Sequence, residues 1–124
     1  MLLDSDVMVE VLRLHPPALT WLAGLGGASV GLPGLVAMEL LQGCRNLHEQ
    51  RNLDSRIRQF VLHWPSKHDC QRALADFATF RLSHGLGLLD ALIAHTAVGA
   101  GEPLATFNVK HFSVVASLTV VAPY

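Results

Sequence analysis

Five short apolar segments lie far apart along the chain, and the stretches between them have helical rather than strand periodicity. Met1–Leu3, Ala28–Leu32, Phe60–Trp64, Pro103–Phe107 and Ser117–Ala122 are the strand candidates. Antiparallel neighbours can be joined by a two-residue turn, but parallel strands need a crossover of about a dozen residues, usually a helix. Val7, Val11 and Leu14 recur at i, i+4 and i+7, predicting a helix with one apolar side and Asp6 as its N-cap. Pro16-Pro17 stops that helix and opens another over Ala18–Gly24. Further helices are predicted from Leu35 to about Cys44, over Asn46–Arg58, from a Ser66-x-x-Asp69 capping box to about Ser83, and over Leu88–Val98. Gly24, Gly26 and Gly27 read as a turn, because no Gly-Lys-Ser/Thr follows them to make a phosphate loop. Strands alternating with helices predict a three-layer α/β/α sandwich around a central, mainly parallel sheet of about five short strands, with residues 1–124 as one domain.

Such a sheet is buried on both faces, which the composition accommodates: 51% of residues are hydrophobic and only 15% charged. The same figures exclude a disordered chain and raise the expectation of a homodimer interface. No apolar run reaches the roughly 18–20 residues needed to cross a bilayer, and Asp4 and Asp6 interrupt the only N-terminal apolar segment. Cys44 and Cys70 are too far apart to suggest a disulfide scaffold. The expectation is a cytoplasmic protein that does not engage membranes. With a formal net charge of -1, any contact with nucleic acid must be local rather than a global attraction.

Three of the ten acids stand inside apolar runs: Asp4 after Leu2-Leu3, Glu39 in Ala37–Leu41, and Asp90 in Leu88–Ile93. The other seven, Asp6 included, fall in polar stretches, caps or turns. An unpaired buried carboxylate costs several kcal/mol, roughly, so such groups are protonated, paired or cation-bound. Asp4 ends the first strand, and ligands of open α/β sheets gather at strand carboxyl ends. Glu39 lies about one turn into the helix after the second strand, near that same edge. Asp90 reaches the edge if its helix begins there. Two carboxylates ~4 Å apart repel by about 4 kcal/mol at an effective dielectric near 20. A divalent cation converts that repulsion into binding, and an all-oxygen donor set suits Mg²⁺ or Mn²⁺ better than zinc.

Four segments, in order and spanning nearly the whole chain, resemble the motifs of the PIN-domain nucleases. Leu2-Leu3-Asp4-Ser5-Asp6-Val7 resembles their opening strand and its acid. Val36–Gly43 resembles the helix carrying a Glu with Gly four residues on. Leu86–Ala97, with its Asp-Ala-Leu-Ile-Ala run, resembles the third motif, and Leu104–Phe112 resembles the fourth, Thr-x-Asn/Asp ending in Phe. The short length and the Pro123-Tyr124 ending are most similar to VapC-type toxins of bacterial toxin–antitoxin pairs. The resemblance implies a Mg²⁺- or Mn²⁺-dependent endoribonuclease that cuts RNA and is held inactive by a VapB-type antitoxin. By that resemblance Asp4 and Asp90 would ligate metal and Glu39 would bind it or orient the attacking water. Thr106 and Asn108 would complete the polar rim. Apart from the resemblance, Lys110 and Arg13, which lie near the fourth and first of these segments, are the candidate phosphate contacts.

Asn108 stands where many PIN domains carry a further acid, and Lys110-His111 where some do. The lost charge favours one metal over two. It also leaves open a PIN-fold protein-binding module of weak or no activity, or an RNA-processing nuclease without antitoxin. Asp4-Ser5-Asp6 also matches the D-x-D of haloacid dehalogenase-like phosphatases, but their later acidic pair and lysine are missing. Of the seven histidines, His111 alone follows a motif closely enough to reach a substrate; the rest read as surface or satisfied core residues. Arg45, Arg51, Arg56 and Arg58 alternate with Glu49 and Asp54 as on a solvated helix. Leu74, Phe77 and Phe80 read as a core stripe.

Overall fold

The computed structural model describes residues 1–26 and 29–124. In chain order the elements are β1 (Leu2–Leu3), α1 (Ser5–Leu12), α2 (Pro16–Gly24), β2 (Gly31–Pro33), α3 (Gly34–Gln42), α4 (Leu47–Ile57), β3 (Val61–His63), α5 (Lys67–Phe80), α6 (Leu88–Ala100), β4 (Leu104–Ala105), α7 (Val109–Phe112) and β5 (Val120–Val121). The strands form one sheet in the order β3-β2-β1-β4-β5, and every pairing is parallel. Parallel crossovers are right-handed in nearly all sheets, so a chain that runs outward through β1, β2 and β3 and then returns to β4 and β5 puts helices on opposite faces. The three-layer sandwich expected from the sequence is the observed architecture.

Burial follows from that position between helices. Leu2, Leu3, Leu32 and Leu104 are all but inaccessible, and Val7, Met8, Val36, Ile93 and Phe112 close over them. Burying each such side chain contributes roughly 1.5–3 kcal/mol. At the sheet edge the burial stops: Val61 in β3 is 64% exposed. The end of β3 is instead clamped to the start of α3, where the Trp64 ring lies so close over Gly34 that a Cβ would collide with it.

Several local expectations hold. Ser66 and Asp69 form the reciprocal capping box of α5. Arg45–Glu49 and Arg58–Asp54 ion pairs line the solvated α4 region. Gly101 ends α6 in the left-handed conformation, φ 67°. Others need correction. The second strand begins at Gly31 rather than Ala28, and Ala28 and Gly27 lie outside the described residues. Asp4, not Asp6, caps α1: its backbone is extended and its side chain accepts from the Ser5 N–H. Leu74 is 68% exposed, so the stripe on α5 that packs inward is Ala73, Phe77 and Phe80. The short α7 has no counterpart in the sequence periodicity. Its one buried residue, Phe112, supplies the reason it forms, docking into the main core.

Candidate active site

In the sheet order the chain leaves β1 toward β2 and comes back on the other side at β4, so the topology reverses between β1 and β4. A crevice opens outside the carboxyl ends of strands at such a reversal. Leu3 pairs with Ala105, so the next residues, Asp4 and Thr106, emerge side by side. The Asp4 N–H donates to the Ala105 carbonyl at 2.9 Å.

A single hydroxyl organises the head of this crevice. Thr106 is fully buried, and its Oγ1 donates to Asp4 Oδ2 at 2.9 Å. The same oxygen lies 3.2 Å from Asp6 Oδ2 and accepts from the Asn108 N–H at 3.1 Å. Asp4 Oδ1 accepts from the Ser5 N–H at 2.8 Å, and Asp6 Oδ2 from the Phe107 N–H at 3.1 Å. The loop after β4 is thereby stitched to the head of α1 through two carboxylates. One hydroxyl proton cannot satisfy both, which keeps the pair electrostatically crowded.

Asp90 enters from α6, whose N-cap is Gly87, in the first turn where the helix dipole favours a negative charge. Its Oδ2 meets His111 Nε2 at 2.8 Å, and the His111 ring packs edge-on against Phe112. Glu39 comes from α3, and its Oε1 is buried with no hydrogen-bond partner. Burial lifts the Asp4 carboxyl from 3.8 to about 6, with repulsion from Asp6 next in importance and Asp90 adding to it. Asp6 is also raised, by burial first and by Asp90 last. Glu39 is raised by burial and then by Asp90. Thr106 is bonded to Asp4 and lies against Asp6, His111 is bonded to Asp90, and Asp90 is close enough to Asp4, Asp6 and Glu39 to raise all three.

Among the described residues no lysine or arginine offsets Asp4, Asp6 or Glu39; what draws protons off Asp4 and Asp6 is hydrogen bonding from Thr106 and from backbone N–H groups. Among the same residues, no three His, Cys, Asp or Glu side chains stand close enough together to hold a metal ion as they are placed. The donor chemistry nonetheless fits a hard divalent cation: four carboxylates, one with an unpartnered buried oxygen, and no neutralising lysine or arginine.

The remaining candidates sit at the periphery. Asn108 is exposed and its side chain caps nothing. Lys110 is exposed on α7, next to His111. Arg13 follows the far end of α1, nine residues from Asp4, or roughly 13 Å at 1.5 Å per residue; it pairs with Glu10 at 3.7 Å. Asp6 stands in the first turn of α1, where an acid breaks no sequence pattern, so nothing local marked it as part of the crevice. His111 needed α7, which no periodicity announces.

A three-layer parallel α/β domain with a carboxylate crevice at its switch point is the class these observations define. Residues 1–118 match the family described as PIN domain, and the chain belongs to that family. Ribonuclease VapC19 of Mycobacterium tuberculosis is 34% identical over 121 residues, covering 94% of this chain and 95% of that protein. Among solved structures, DNA-bound VapBC from Salmonella typhimurium has a TM-score of 0.83 at 19% identity, covering 99% of this chain and 97% of its own. A toxin–antitoxin complex from Klebsiella pneumoniae has a TM-score of 0.78 at 24% identity, with the same two coverages. These structural likenesses extend the fold assignment over the whole chain.

Proposed function

We propose that this protein is a Mg²⁺- or Mn²⁺-dependent endoribonuclease of VapC type, the toxin of a toxin–antitoxin pair, in one PIN-like domain. The observation that carries the reading is the set of buried acids at the switch point, Asp4 beside Asp6 and both facing Asp90, which also raises Glu39, whose Oε1 is left unpartnered. Such an arrangement is costly unless a cation or a proton occupies it. The 34% identity to a ribonuclease over almost the entire chain supports the same reading.

Asp4 and Asp90 would hold the metal, with Glu39 as a third ligand or as the group that orients water. When bound, the metal lowers the pKa of its water and offsets charge developing at the phosphodiester. Glu39 Oε1, raised by burial, is suited to take the proton of the attacking water. Thr106 keeps Asp4 and Asp6 in register, and Asn108 contributes an uncharged rim. Lys110 would meet a phosphate leaving the crevice; Arg13 would do so only for a strand running along α1. The site suits one metal, because Asn108 supplies no charge for a second.

A VapB-type antitoxin is the proposed partner, the cytoplasm the proposed location, and a homodimer the proposed assembly. The homodimer reading rests on an apolar groove between α5 and α6, lined by Leu74, Phe77, Leu88 and Leu92, with Leu74 68% and Leu88 58% exposed. Among the described residues no helix is long and apolar enough to cross a membrane. Calorimetric titration of Mn²⁺ and Mg²⁺, beside a folded Asp90→Asn control and an RNA cleavage assay with chelator, tests the reading. Saturable binding lost in the variant, with chelator-sensitive cleavage, is expected. No binding to wild type would overturn it in favour of a protein-binding module.

A further inference from the structure

Next to the carboxylate crevice lies a second cleft walled by aromatic rings and two acids. Phe107 is 41% exposed and Tyr124 50% exposed, with ring centroids 5.2 Å apart in an edge-to-face arrangement. The His15 ring continues the row, 6.3 Å from Tyr124. Together with Asp6, Val9 and Glu10 these residues line a cavity of about 440 Å³. Two facts tie this shelf to the crevice. Asp6 belongs to both, and the Phe107 N–H that bonds Asp6 at 3.1 Å fixes where the ring begins. The bond comes from backbone, so side-chain exchange at 107 leaves it intact.

The electrostatics say what the shelf can hold. Asp6 and Glu10 in its wall repel phosphate, and Glu10 engages the nearby Arg13 and His15 side chains. A polyanion approaching this region gains little from direct charge attraction. The part of a nucleotide that can enter an acidic, ring-lined cleft is its uncharged base, and a base presents a π-face only when freed from a duplex. We infer that Phe107 and Tyr124 form a stacking subsite for one unpaired base of an RNA strand, adjacent to the nucleotide whose phosphate lies in the crevice. The inference rests on the ribonuclease reading above and adds to it a site for base preference.

The test is fluorescence anisotropy with a labelled single-stranded RNA octamer and an abasic scan of it, in Mn²⁺, on uncleaved strands carrying 2′-O-methyl groups. Wild type is compared with Phe107→Leu, Phe107→Tyr and Tyr124→Ala, each with melting temperature and Mn²⁺ affinity recorded. Base–aromatic stacking sets the scale, so Phe107→Leu is expected to weaken octamer binding about ten- to a hundredfold. Phe107→Tyr retains binding and Mn²⁺ affinity stays unchanged. One abasic position weakens wild-type binding to a similar degree and adds no further loss in Phe107→Leu. Equal octamer affinity for wild type and Phe107→Leu would overturn the subsite while leaving the nuclease reading intact. Losses that add for every abasic position would also overturn it. If the ring variants bind RNA normally but release a partner protein, the shelf is a protein-docking surface and the inference is wrong. Absence of RNA binding by metal-loaded wild type would overturn both readings together.

Discussion

Neutralising Asp4 should stabilise the metal-free protein at alkaline pH while disabling its site, and the size of the effect comes from its surroundings. Asp4 is 6% exposed, and its carboxyl pKa rises from 3.8 to about 6. Between those values the folded state holds more protons than the unfolded state, so stability falls as pH rises. The loss is complete above about pH 6. At 1.36 kcal/mol per unit, a shift of this size corresponds to at most about 3 kcal/mol. Asp6 and Glu39 are shifted in the same direction and add to the trend. Glu49 and Glu102 are shifted downward and act oppositely, but only below their ordinary value of 4.5. Histidines titrate in the same range as Asp4, so the difference between Asp4→Asn and wild type, rather than the wild-type profile alone, isolates Asp4. In Asp4→Asn the amide oxygen keeps the cap on Ser5, since Asn caps as well as Asp. Its NH₂ donates to Thr106, freeing the hydroxyl proton for Asp6. Thermal melts in chelator should show Asp4→Asn matching wild type near pH 4 and exceeding it at pH 8 by on the order of 8–12 °C. Parallel pH profiles for the two proteins would refute the account of Asp4 as a buried, uncompensated acid.

Manganese at about a hundred times its dissociation constant should restore roughly 2.7 kcal/mol to wild type at pH 8, and nothing to Asp4→Asn, in the same melts. Thr106→Val removes the hydroxyl between Asp4 and Asp6 without changing shape; urea unfolding should register a loss of about 1–3 kcal/mol at pH 8, and calorimetry a weaker Mn²⁺ site. His111→Ala frees the Asp90 carboxylate, and Mn²⁺ affinity should fall roughly ten- to a hundredfold with the fold retained by circular dichroism. Gly34→Ala drives a methyl into the Trp64 ring, so a destabilisation of about 1–3 kcal/mol with a shift in tryptophan fluorescence is expected.

Fold class and the three principal acids were legible because each leaves a local mark. Alternation of apolar segments with helical periodicity is a property of neighbouring residues, and it specifies a parallel sheet before any contact is known. Asp4, Glu39 and Asp90 are conspicuous because a charge inside an apolar run violates a pattern that sequence alone displays. Asp6 and His111 violate nothing. Asp6 sits where any helix welcomes an acid, and its bonds run to Thr106 and Phe107, a hundred residues away. His111 points at Asp90 only because Phe112 anchors a four-residue helix in the core. The exposure of Leu74 was hidden for the same reason, since periodicity finds an apolar stripe but not which of its members the neighbouring helix covers. What the sequence determined by itself was the set of elements and the acids that do not belong in them. The tertiary structure decided convergence, because distance across a sheet depends on strand order and register, and these emerge only when β1 and β4 lie side by side.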